Sequence, residues 1–321
     1  MSHVADIAIS PPAGIRAGAV AVGSALLETT KPRITRLVTI TAFVGFVMAA
    51  SARAWSAPAL LLALGGCLLG TALSAAGANA LNQLLERDRD ARMERTRTRP
   101  LPQHRVSPRR VLAVGSALSV AGVGVLWIAA GWLPSAISAT TIALYLAAYT
   151  PMKPVSPLAT VIGAVPGALP PLIGWTAGIP GGGLGSLASP AAWSLVVIMF
   201  VWQIPHFLAI AWMYREDYAR GGFRVLPVVD PDGARTVRAM LAWSVCLVPI
   251  TLMPALFVTE RLGPAYLLVA AVSGIGFLGV VWLLAADRST RRARVVFIGS
   301  IVHLPLLLLA MVADAMVSVL L

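Results

Sequence analysis

The sequence has few charged residues and almost no cysteine, and each scarcity excludes a class of protein. Only 12% of the 321 residues are charged, about half of the share typical of soluble domains. In contrast, 58% of the residues are hydrophobic and the mean hydropathy is +0.83. These values exclude an ordinary soluble domain. The two cysteines, Cys67 and Cys246, lie far apart within apolar stretches, so we expect neither a disulfide framework nor a cysteine-ligated metal.

The N-terminal segment lacks the basic start, compact apolar core and cleavage site of a secretory signal peptide. We expect residues 1–30 to be a flexible cytoplasmic tail and residues 31–321 to form one membrane domain. The apolar residues of that domain come in blocks long enough to cross a hydrocarbon core of ~30 Å. Long spans satisfy their backbone groups in lipid only as helices. The sequence therefore predicts an all-α bundle of nine transmembrane helices, at 34–52, 58–84, 111–131, 133–150, 157–178, 190–213, 238–259, 264–286 and 295–320.

The basic residues predict the orientation of this bundle. If the N-terminus is cytoplasmic, every one of the 25 Lys and Arg residues except Arg53 and Arg261 falls on the cytoplasmic side. This distribution follows the positive-inside rule, so the formal net charge of +12 requires no nucleic-acid partner. The C-terminus is then external. Two long polar connections, 85–110 and 214–237, place the expected chemistry on the cytoplasmic side.

The second predicted helix ends in polar residues that share one face. Asn82, Glu86 and Asp90 are spaced by four, so they stack along one side of a helix, whereas Asp88 faces away. Carboxylate and amide oxygens at such a position are ligands that suit Mg²⁺. The alternative is a solvated acidic helix end in which Glu86 and Asp90 pair with neighbouring arginines such as Arg87. Spacing alone does not choose between these two interpretations.

Two further polar stretches carry candidate functional residues. The segment after Asp90 is rich in arginine, which binds phosphate oxygens bidentately, although a cytoplasmic loop of any function would also be basic. The second stretch runs from Trp202 to Gly222. If the sixth helix continued through it, Gln203, His206, Tyr214 and Asp217 would share one stripe. Ionisable residues inside a span are costly and usually face a cavity. His206 is then either a ligand or a core histidine bonded to a carbonyl.

At these motifs the sequence resembles the UbiA superfamily of membrane prenyltransferases. The pattern Asn82-x3-Glu86-x3-Asp90, followed by Met93-x-Arg95-Thr96-x2-Arg99-Pro100, looks like the first signature of that superfamily. More narrowly, the chain is similar to the protohaem IX farnesyltransferase family. That similarity includes Lys31-Pro32-Arg33, Tyr149-Thr150-Pro151-x-Lys153 and the block from Trp202 to Gly222. The resemblance covers the chain from about residue 31 to the last helix.

The resemblance implies roles for particular residues. Mg²⁺ would be the cofactor, bound by Asn82, Glu86 and Asp90, and these three with Asp217 would form the catalytic set. The implied diphosphate-binding residues are Lys31, Arg33, Arg95, Arg99, Lys153 and Arg220. The implied haem contacts are Gln203, His206 and Tyr214, with His206 contacting either the iron or a propionate.

The chain departs from the superfamily pattern at two places. The first signature usually carries Asp where this chain has Glu86. The second signature has aspartates near the sites of His206 and Met213, and only Asp217 remains here. The resemblance therefore does not imply a second, fully carboxylate metal site, and the same departure favours a haem acceptor over a quinone precursor.

The resemblance also implies a reaction. The farnesyl group of farnesyl diphosphate would alkylate a vinyl group of protohaem IX (haem B), with addition of water, to give haem O for haem–copper terminal oxidases. The expected location is a bacterial cytoplasmic (inner) membrane, with haem A synthase as a downstream partner. One alternative is a UbiA-type enzyme that acts on an aromatic or quinone precursor. Another is a transporter or channel, which would not explain an Asn/Glu/Asp stack beside an arginine-rich loop.

Overall fold

Every regular element in the described part of the chain is a helix. The computed structural model describes residues 19–51, 53–258 and 262–320, and no strand occurs among them. In chain order the helices are α1 (Ala19–Thr29), α2 (Pro32–Ala50), α3 (Ala57–Asp90), α4 (Pro108–Ala130), α5 (Trp132–Ala143), a π-helical segment (Leu144–Tyr149), α6 (Thr150–Met152), α7 (Ala159–Ala168), α8 (Pro170–Ala177), a 3₁₀ helix (Leu184–Ala188), α9 (Pro190–Met213), α10 (Arg215–Arg220), α11 (Ala234–Phe257), α12 (Pro264–Ala286) and α13 (Thr290–Leu320).

Eight stretches of the described chain are long and apolar enough to cross a membrane. They correspond to eight of the nine predicted spans, and α7 and α8 together make one of them, Ala159–Ala177. The span predicted at 133–150 is helical but divided, since α5, the π-helical segment and α6 follow one another directly. A π turn bonds each amide to a carbonyl one residue further away, which interrupts the α-helical pattern. The ninth crossing therefore stays a prediction.

The N-terminal segment differs from the flexible tail that we expected. Residues 19–29 form helix α1, in which Ala25 and Thr29 are fully buried. The side-chain amide of Gln83 on α3 donates to the carbonyl of Thr29 at 3.0 Å. Because the last carbonyls of a helix have no partner within it, this bond holds the end of α1 against α3. Residues 1–18 of the expected tail lie outside the described residues, as does Arg261.

Helices α3 and α4 pack through small residues. A Cβ atom at Gly77 would collide with Ser119 and with the backbone of Gly115, and one at Gly122 would collide with the backbone of Ser74. Small residues let the backbones of membrane helices approach closely, which is how such helices gain packing energy without a hydrophobic driving force. This contact fixes the second half of α3. That half carries Asn82, Glu86 and Asp90, which we call the stripe of α3.

Helix α8 forms the centre of the bundle, and all eight of its residues are buried. It crosses α2 so closely that a Cβ atom at Gly174 would collide with the carbonyl of Ala42, and one at Gly45 with the carbonyl of Pro171. Pro170 and Pro171 have no N–H to donate, so α7 ends just before them and α8 starts anew.

The connections that we predicted to be cytoplasmic meet at one end of the bundle. The amide of Arg224 donates to the carbonyl of Lys153 at 2.9 Å, and Arg288 donates to the carbonyl of Asp232 at 3.2 Å. The loop at 91–107 contacts α10 in the same region. This meeting at one end is what spans of alternating direction would produce. The side of the membrane on which they lie stays a prediction.

Candidate active site

Three polar side chains in the last turns of α3 lie on one buried face. Asn82, Glu86 and Asp90 are 0%, 6% and 1% exposed. Asp88 faces solvent with 80% of its side chain exposed, and its ion-pair partner is Arg87. A buried carboxylate is costly unless it is paired or binds a metal. The stripe is therefore not solvated, and each of its carboxylates needs a cationic partner or a metal.

Lys31 and Thr150 hold the amide of Asn82 from two sides. The ammonium of Lys31 donates to Asn82 Oδ1 at 2.8 Å, and Asn82 Nδ2 donates to Thr150 Oγ1 at 3.1 Å. Lys31 has φ 49° and ψ 66°, a left-handed conformation that is uncommon for a lysine. Strained backbone of this kind persists when its surroundings over-determine it, as they often do at functional sites. The strained residue here directs a cation into the site.

Glu86 forms a buried ion pair with Lys153. The two groups are 2.7 Å apart, and their side chains are 7% and 14% exposed. The ammonium of Lys153 also lies 4.5 Å from the ring centroid of Tyr149 and 5.7 Å from that of Phe223, so it makes cation–π contacts on two sides. Lys153 is thereby held in one position opposite the stripe.

Asp90 is bonded through only one of its two oxygens. Its Oδ2 lies 2.6 Å from the guanidinium of Arg99, which the loop at 91–107 brings back over the end of α3. Its Oδ1 is buried and has no hydrogen-bond partner among the described residues. An unsatisfied buried carboxylate oxygen is costly and calls for an explanation, such as an ion that the site is built to bind. This oxygen lies on the same helix face as Glu86 and Asn82.

The donor set fits Mg²⁺ better than it fits a softer metal. No group of three His, Cys, Asp or Glu side chains suitable for a metal occurs within the described residues. Mg²⁺ does not require such a group, because it is commonly held by one or two carboxylates together with substrate phosphates and water. The stripe meets this requirement with the carboxylates of Glu86 and Asp90 and the amide oxygen of Asn82. Of these oxygens, Asp90 Oδ1 has no hydrogen-bond partner among the described residues.

The two lysines of the site hold their protons with different strength. Burial lowers the pKa of Lys31 to about 7, and the positive charge of Arg99 acts in the same direction. Burial also disfavours the charged form of Lys153, but Tyr149 and Glu86 outweigh it and raise the pKa of Lys153 above its ordinary value. The neighbours of Lys153 therefore favour its protonated form, whereas burial and Arg99 work against the protonated form of Lys31.

Asp217 joins the two long loops at this end of the bundle. Its carboxylate accepts hydrogen bonds from the backbone amides of Glu94 at 2.6 Å and Arg95 at 3.0 Å, and from the guanidinium of Arg220 at 2.7 Å. Burial alone would raise the pKa of Asp217, but these three hydrogen bonds together lower it below its ordinary value. Asp217 is thus a stable carboxylate that binds the loop at 91–107 and Arg220 of α10.

The other two predicted diphosphate-binding arginines are arranged differently from each other. The guanidinium of Arg95 lies over the rings of Tyr214 and Tyr218, 5.3 and 5.7 Å from their centroids. Arg33 is exposed, and it forms no ion pair with a described residue. The structure therefore brings Lys31, Lys153 and Arg99 onto the stripe and leaves Arg33 at the surface. Arg95 and Arg220 lie in the layer formed by the loop at 91–107 and α10, which we call the loop layer.

The shared stripe of Gln203, His206 and Tyr214 was expected only if the sixth helix continued through this block, and that condition is not met. Helix α9 ends at Met213, and Tyr214 leaves the helical conformation with φ −119° and ψ 27°. Gln203 packs against Gly167 of α7, where an added Cβ atom would collide with its side chain. His206 instead contacts Ser300 of α13 at 2.7 Å. The residues of this motif thus face three different neighbours.

The contacts of His206 define which ring nitrogen carries its proton. The hydroxyl of Ser300 donates its single proton to the carbonyl of Phe297 at 2.6 Å, so it can only accept from His206 Nδ1. The lone pair of the neutral ring is then on Nε2. The ring stacks between Trp202 and Phe297, with centroids 4.8 and 5.3 Å away. Nε2 is then the ring nitrogen that has no hydrogen-bond partner among the described residues.

Sequence reasoning gave no role to three residues that surround the stripe. Thr150 bonds to Asn82, Tyr149 lies beside Lys153, and Phe223 contacts both Lys153 and, at 5.7 Å, the guanidinium of Arg89. Thr150 and Tyr149 lie only three and four residues before Lys153 in the sequence. This closeness to a candidate cation could have indicated that they belong to the site. No local pattern pointed to Phe223.

These features define a helical, polytopic membrane protein with a cluster of buried carboxylates and cations at one end of its bundle. Within this class, the chain belongs to the UbiA prenyltransferase family, whose model matches residues 38–303.

The relatives and solved structures that match the chain agree with this assignment. Protoheme IX farnesyltransferase of Solibacter usitatus is 43% identical over 292 residues, which cover 90% of this chain and 97% of that protein. The protein of the same name from an Anaeromyxobacter species is 41% identical and covers 90% and 93%. A UbiA homologue from Aeropyrum pernix superposes with a TM-score of 0.65 at 22% identity, covering 89% of this chain and 98% of that one. A UbiA homologue from Archaeoglobus fulgidus, bound to GPP and Mg²⁺, gives 0.63 at 15% identity and covers 92% and 100%. The two structures show the shared fold.

Proposed function

We propose that this chain transfers the farnesyl group of farnesyl diphosphate to a vinyl group of protohaem IX, with addition of water, and so produces haem O. The observation that carries this proposal is the 43% identity, over 90% of the chain, with a protoheme IX farnesyltransferase. The buried stripe supports the same reaction from the donor side, since it offers what a diphosphate leaving group needs. The stripe alone does not select the acceptor.

Asn82, Glu86 and Asp90 would hold Mg²⁺ on the buried face of α3. When bound, the ion supplies Lewis-acid stabilisation of the negative charge that grows on the diphosphate. Lys31, Lys153 and Arg99 reach the same face from three separate elements, within 2.6 to 2.8 Å of stripe oxygens. Their donors would turn to the oxygens of the diphosphate and stabilise its departure.

The loop layer would complete the diphosphate site. Arg95, held over two tyrosine rings, and the exposed Arg33 are proposed as outer contacts of the diphosphate. Arg220 is proposed to act together with Asp217, to which it is bonded. Phe223 is 3% exposed and covers Lys153 from the loop side. Its ring would exclude water from the reacting carbon, which matters because early water would convert the farnesyl cation to farnesol.

The tautomer of His206 supports a contact with haem iron. Its Nδ1–H is already engaged by Ser300, which leaves the Nε2 lone pair as the free group of the ring. A lone pair binds iron, whereas a propionate needs a donor. Metal-bound histidines usually donate their other N–H to a neighbouring acceptor, as His206 does. Gln203 and Tyr214 are proposed as further haem contacts.

The proposed setting is a bacterial cytoplasmic membrane crossed nine times, with the N-terminus in the cytoplasm. The ninth span would be the continuous helical run of α5, the π-helical segment and α6. The basic residues support this orientation through the positive-inside rule. The product would pass to haem A synthase, the proposed downstream partner.

The test is a defined reaction in membranes that contain the protein. Haem B, farnesyl diphosphate and Mg²⁺ are supplied together, and the pigment is identified by mass. We expect a product that is heavier than haem B by one farnesyl group and one hydroxyl group, the other proton of the water being released. It should form only with Mg²⁺ and be absent from membranes carrying Asp90→Asn. Release of pyrophosphate with farnesol as the only organic product would contradict the acceptor. Prenylation of an added hydroxybenzoate in preference to haem would favour the aromatic-acceptor alternative.

A further inference from the structure

Asn82 must satisfy its side-chain amide within the protein, because it is 0% exposed. Its amide oxygen accepts from Lys31 at 2.8 Å, and its NH₂ group donates to Thr150 Oγ1 at 3.1 Å. Lys31 alone does not fix this orientation, because a lysine amine that has lost its proton can also accept a hydrogen bond. The orientation therefore depends on what Thr150 offers.

Thr150 can only accept at this contact. A hydroxyl has one proton, and that of Thr150 is donated to the carbonyl of Tyr145 at 2.8 Å. The same carbonyl also accepts the backbone N–H of Thr150, because the residues between them form the π-helical segment. Thr150 is 6% exposed, so solvent does not compete for its oxygen. The hydroxyl thus presents a lone pair, and no proton, to Asn82.

We propose that Thr150 is a positioning residue that sets the orientation of the Asn82 amide. Since it offers only a lone pair, it holds the NH₂ group of Asn82 and keeps Oδ1 turned toward the position shared by the Lys31 ammonium and a bound cation. The π-helical segment makes this possible by bringing the hydroxyl and its carbonyl acceptor together. π turns occur frequently at functional sites. This inference rests on the proposed function, in which Asn82 Oδ1 is a ligand of Mg²⁺.

A purely structural role is the competing explanation. Hydroxyl groups often join membrane helices by hydrogen bonds, and Thr150 joins α6 to α3. Such a bond would stabilise the protein whichever way the amide pointed. The two explanations differ in what they predict for cation binding, so the test measures binding without turnover.

The first experiment compares Thr150→Val with Thr150→Ser. Valine has nearly the same shape and no lone pair, whereas serine keeps the hydroxyl. The readout is the Mg²⁺ concentration that half-saturates binding of farnesyl thiolodiphosphate, a non-hydrolysable analogue, to the purified full-length protein. We expect Thr150→Val to raise that concentration on the order of 10-fold, the value of one good hydrogen bond. Thr150→Ser should restore it to within about twofold, since it regains the acceptor. An unchanged Mg²⁺ requirement in Thr150→Val would overturn the proposal.

The second experiment repeats the valine substitution in an Asn82→Asp background. A carboxylate has two equivalent oxygens and no NH₂ group to orient. We therefore expect Thr150→Val to cause little further loss of Mg²⁺-dependent binding there, so that the two effects are not additive. Full additivity would assign Thr150 a structural role and overturn the proposal. If Thr150→Val does not fold, Thr150→Cys takes its place with the same expected result, because a thiol is a weak acceptor.

The wild-type protein separates failure of this inference from failure of the proposed function. Binding of the analogue without any dependence on Mg²⁺ would remove the metal site and the proposed function with it. Mg²⁺-dependent binding in the wild type, combined with no special effect at Thr150, would overturn only the inference.

Discussion

Asp90 and Asp88 are two aspartates of one helix turn whose surroundings differ completely. Asp90 is 1% exposed with a free Oδ1, whereas Asp88 is an exposed partner of Arg87. Asp90→Asn keeps the size of the side chain and removes the charge that would hold Mg²⁺. We expect turnover to fall on the order of 10²-fold or more, since metal ions supply several kcal/mol of transition-state stabilisation. Asp88→Asn is the matched control and should keep most of the activity. The measurement is pyrophosphate release at equal protein abundance, and equal losses in both variants would refute the helical-face argument.

His206 makes a second prediction at the scale of one residue. His206→Ala should weaken haem retention while leaving binding of a farnesyl diphosphate analogue nearly intact, because the diphosphate contacts belong to other residues. Ser300→Ala should weaken haem retention in the same direction, since loss of a partner that orients a metal-bound histidine typically costs about 10- to 100-fold. The measurement is a paired titration, of haem by its Soret band and of the analogue by direct binding. Lost analogue binding with unchanged haem affinity would place His206 at the diphosphate.

The carboxylate of Asp217 holds the loop at 91–107 through the amides of Glu94 and Arg95. The strength of this contact depends on pH in a defined direction. Its pKa is lowered by the hydrogen bonds from Arg220, Arg95 and Glu94. A carboxylate with a lowered pKa in the folded protein contributes stability above its ordinary pKa and loses it as the pH falls through the lowered value. Protection of the Glu94 and Arg95 amides from hydrogen exchange should therefore persist at pH 5 and disappear only below about pH 4.

The matched variants for this contact are Asp217→Asn and Glu216→Gln. Asp217→Asn should lose the protection at every pH and raise the KM for farnesyl diphosphate. Glu216 is exposed and adjacent in sequence, so Glu216→Gln should behave as the wild type. Protection that is retained in Asp217→Asn would show that the loop is held by other contacts.

The packing of α3 against α4 can be tested with two glycines of one helix. A Cβ atom at Gly122 would collide with the backbone of Ser74, whereas nothing lies within 4 Å of one at Gly124. Gly122→Ala should destabilise the protein by about 1–3 kcal/mol through overpacking and weaken analogue binding, because α3 carries the stripe. Gly124→Ala should be neutral or slightly stabilising. Thermal unfolding in detergent measures both, and a stable, fully binding Gly122→Ala would contradict the role of close packing.

The parts of the site that follow from local geometry could be predicted from the sequence. The stripe of Asn82, Glu86 and Asp90 depends only on the period of a helix. The contact between Asp217 and Glu94 joins residues 123 positions apart, and no spacing encodes it. The end of α9 at Met213 is likewise not encoded in the spacing of polar residues, so the condition for a stripe that includes Tyr214 could not be checked from the sequence.

At the scale of the whole molecule, the thickness of the bilayer made the fold predictable. A long apolar block has few alternatives to a spanning helix, and eight of the nine predicted blocks are such helices. The π-helical segment and helix α1 were not predicted. The first depends on bonds among neighbouring helices, and the second is a short helix whose position is set by Gln83 of α3. Both features therefore depend on contacts between helices, which the pattern of one segment does not show.

The orientation of the molecule gives the last prediction. Thr98 and Asp232 lie in the two loops that meet over the site, while Leu184 lies in the 3₁₀ helix between α8 and α9, and all three are exposed. In a background in which Cys246 is replaced by Ala, Thr98→Cys, Leu184→Cys and Asp232→Cys provide single accessible thiols, since Cys67 is buried. With 23 of the 25 basic residues expected inside, an impermeant thiol reagent applied to intact cells should label position 184 alone. Positions 98 and 232 should label only after the membrane is opened. Strong labelling of position 98 in intact cells would invert the bundle and place the diphosphate site on the side from which no cytoplasmic farnesyl diphosphate could reach it.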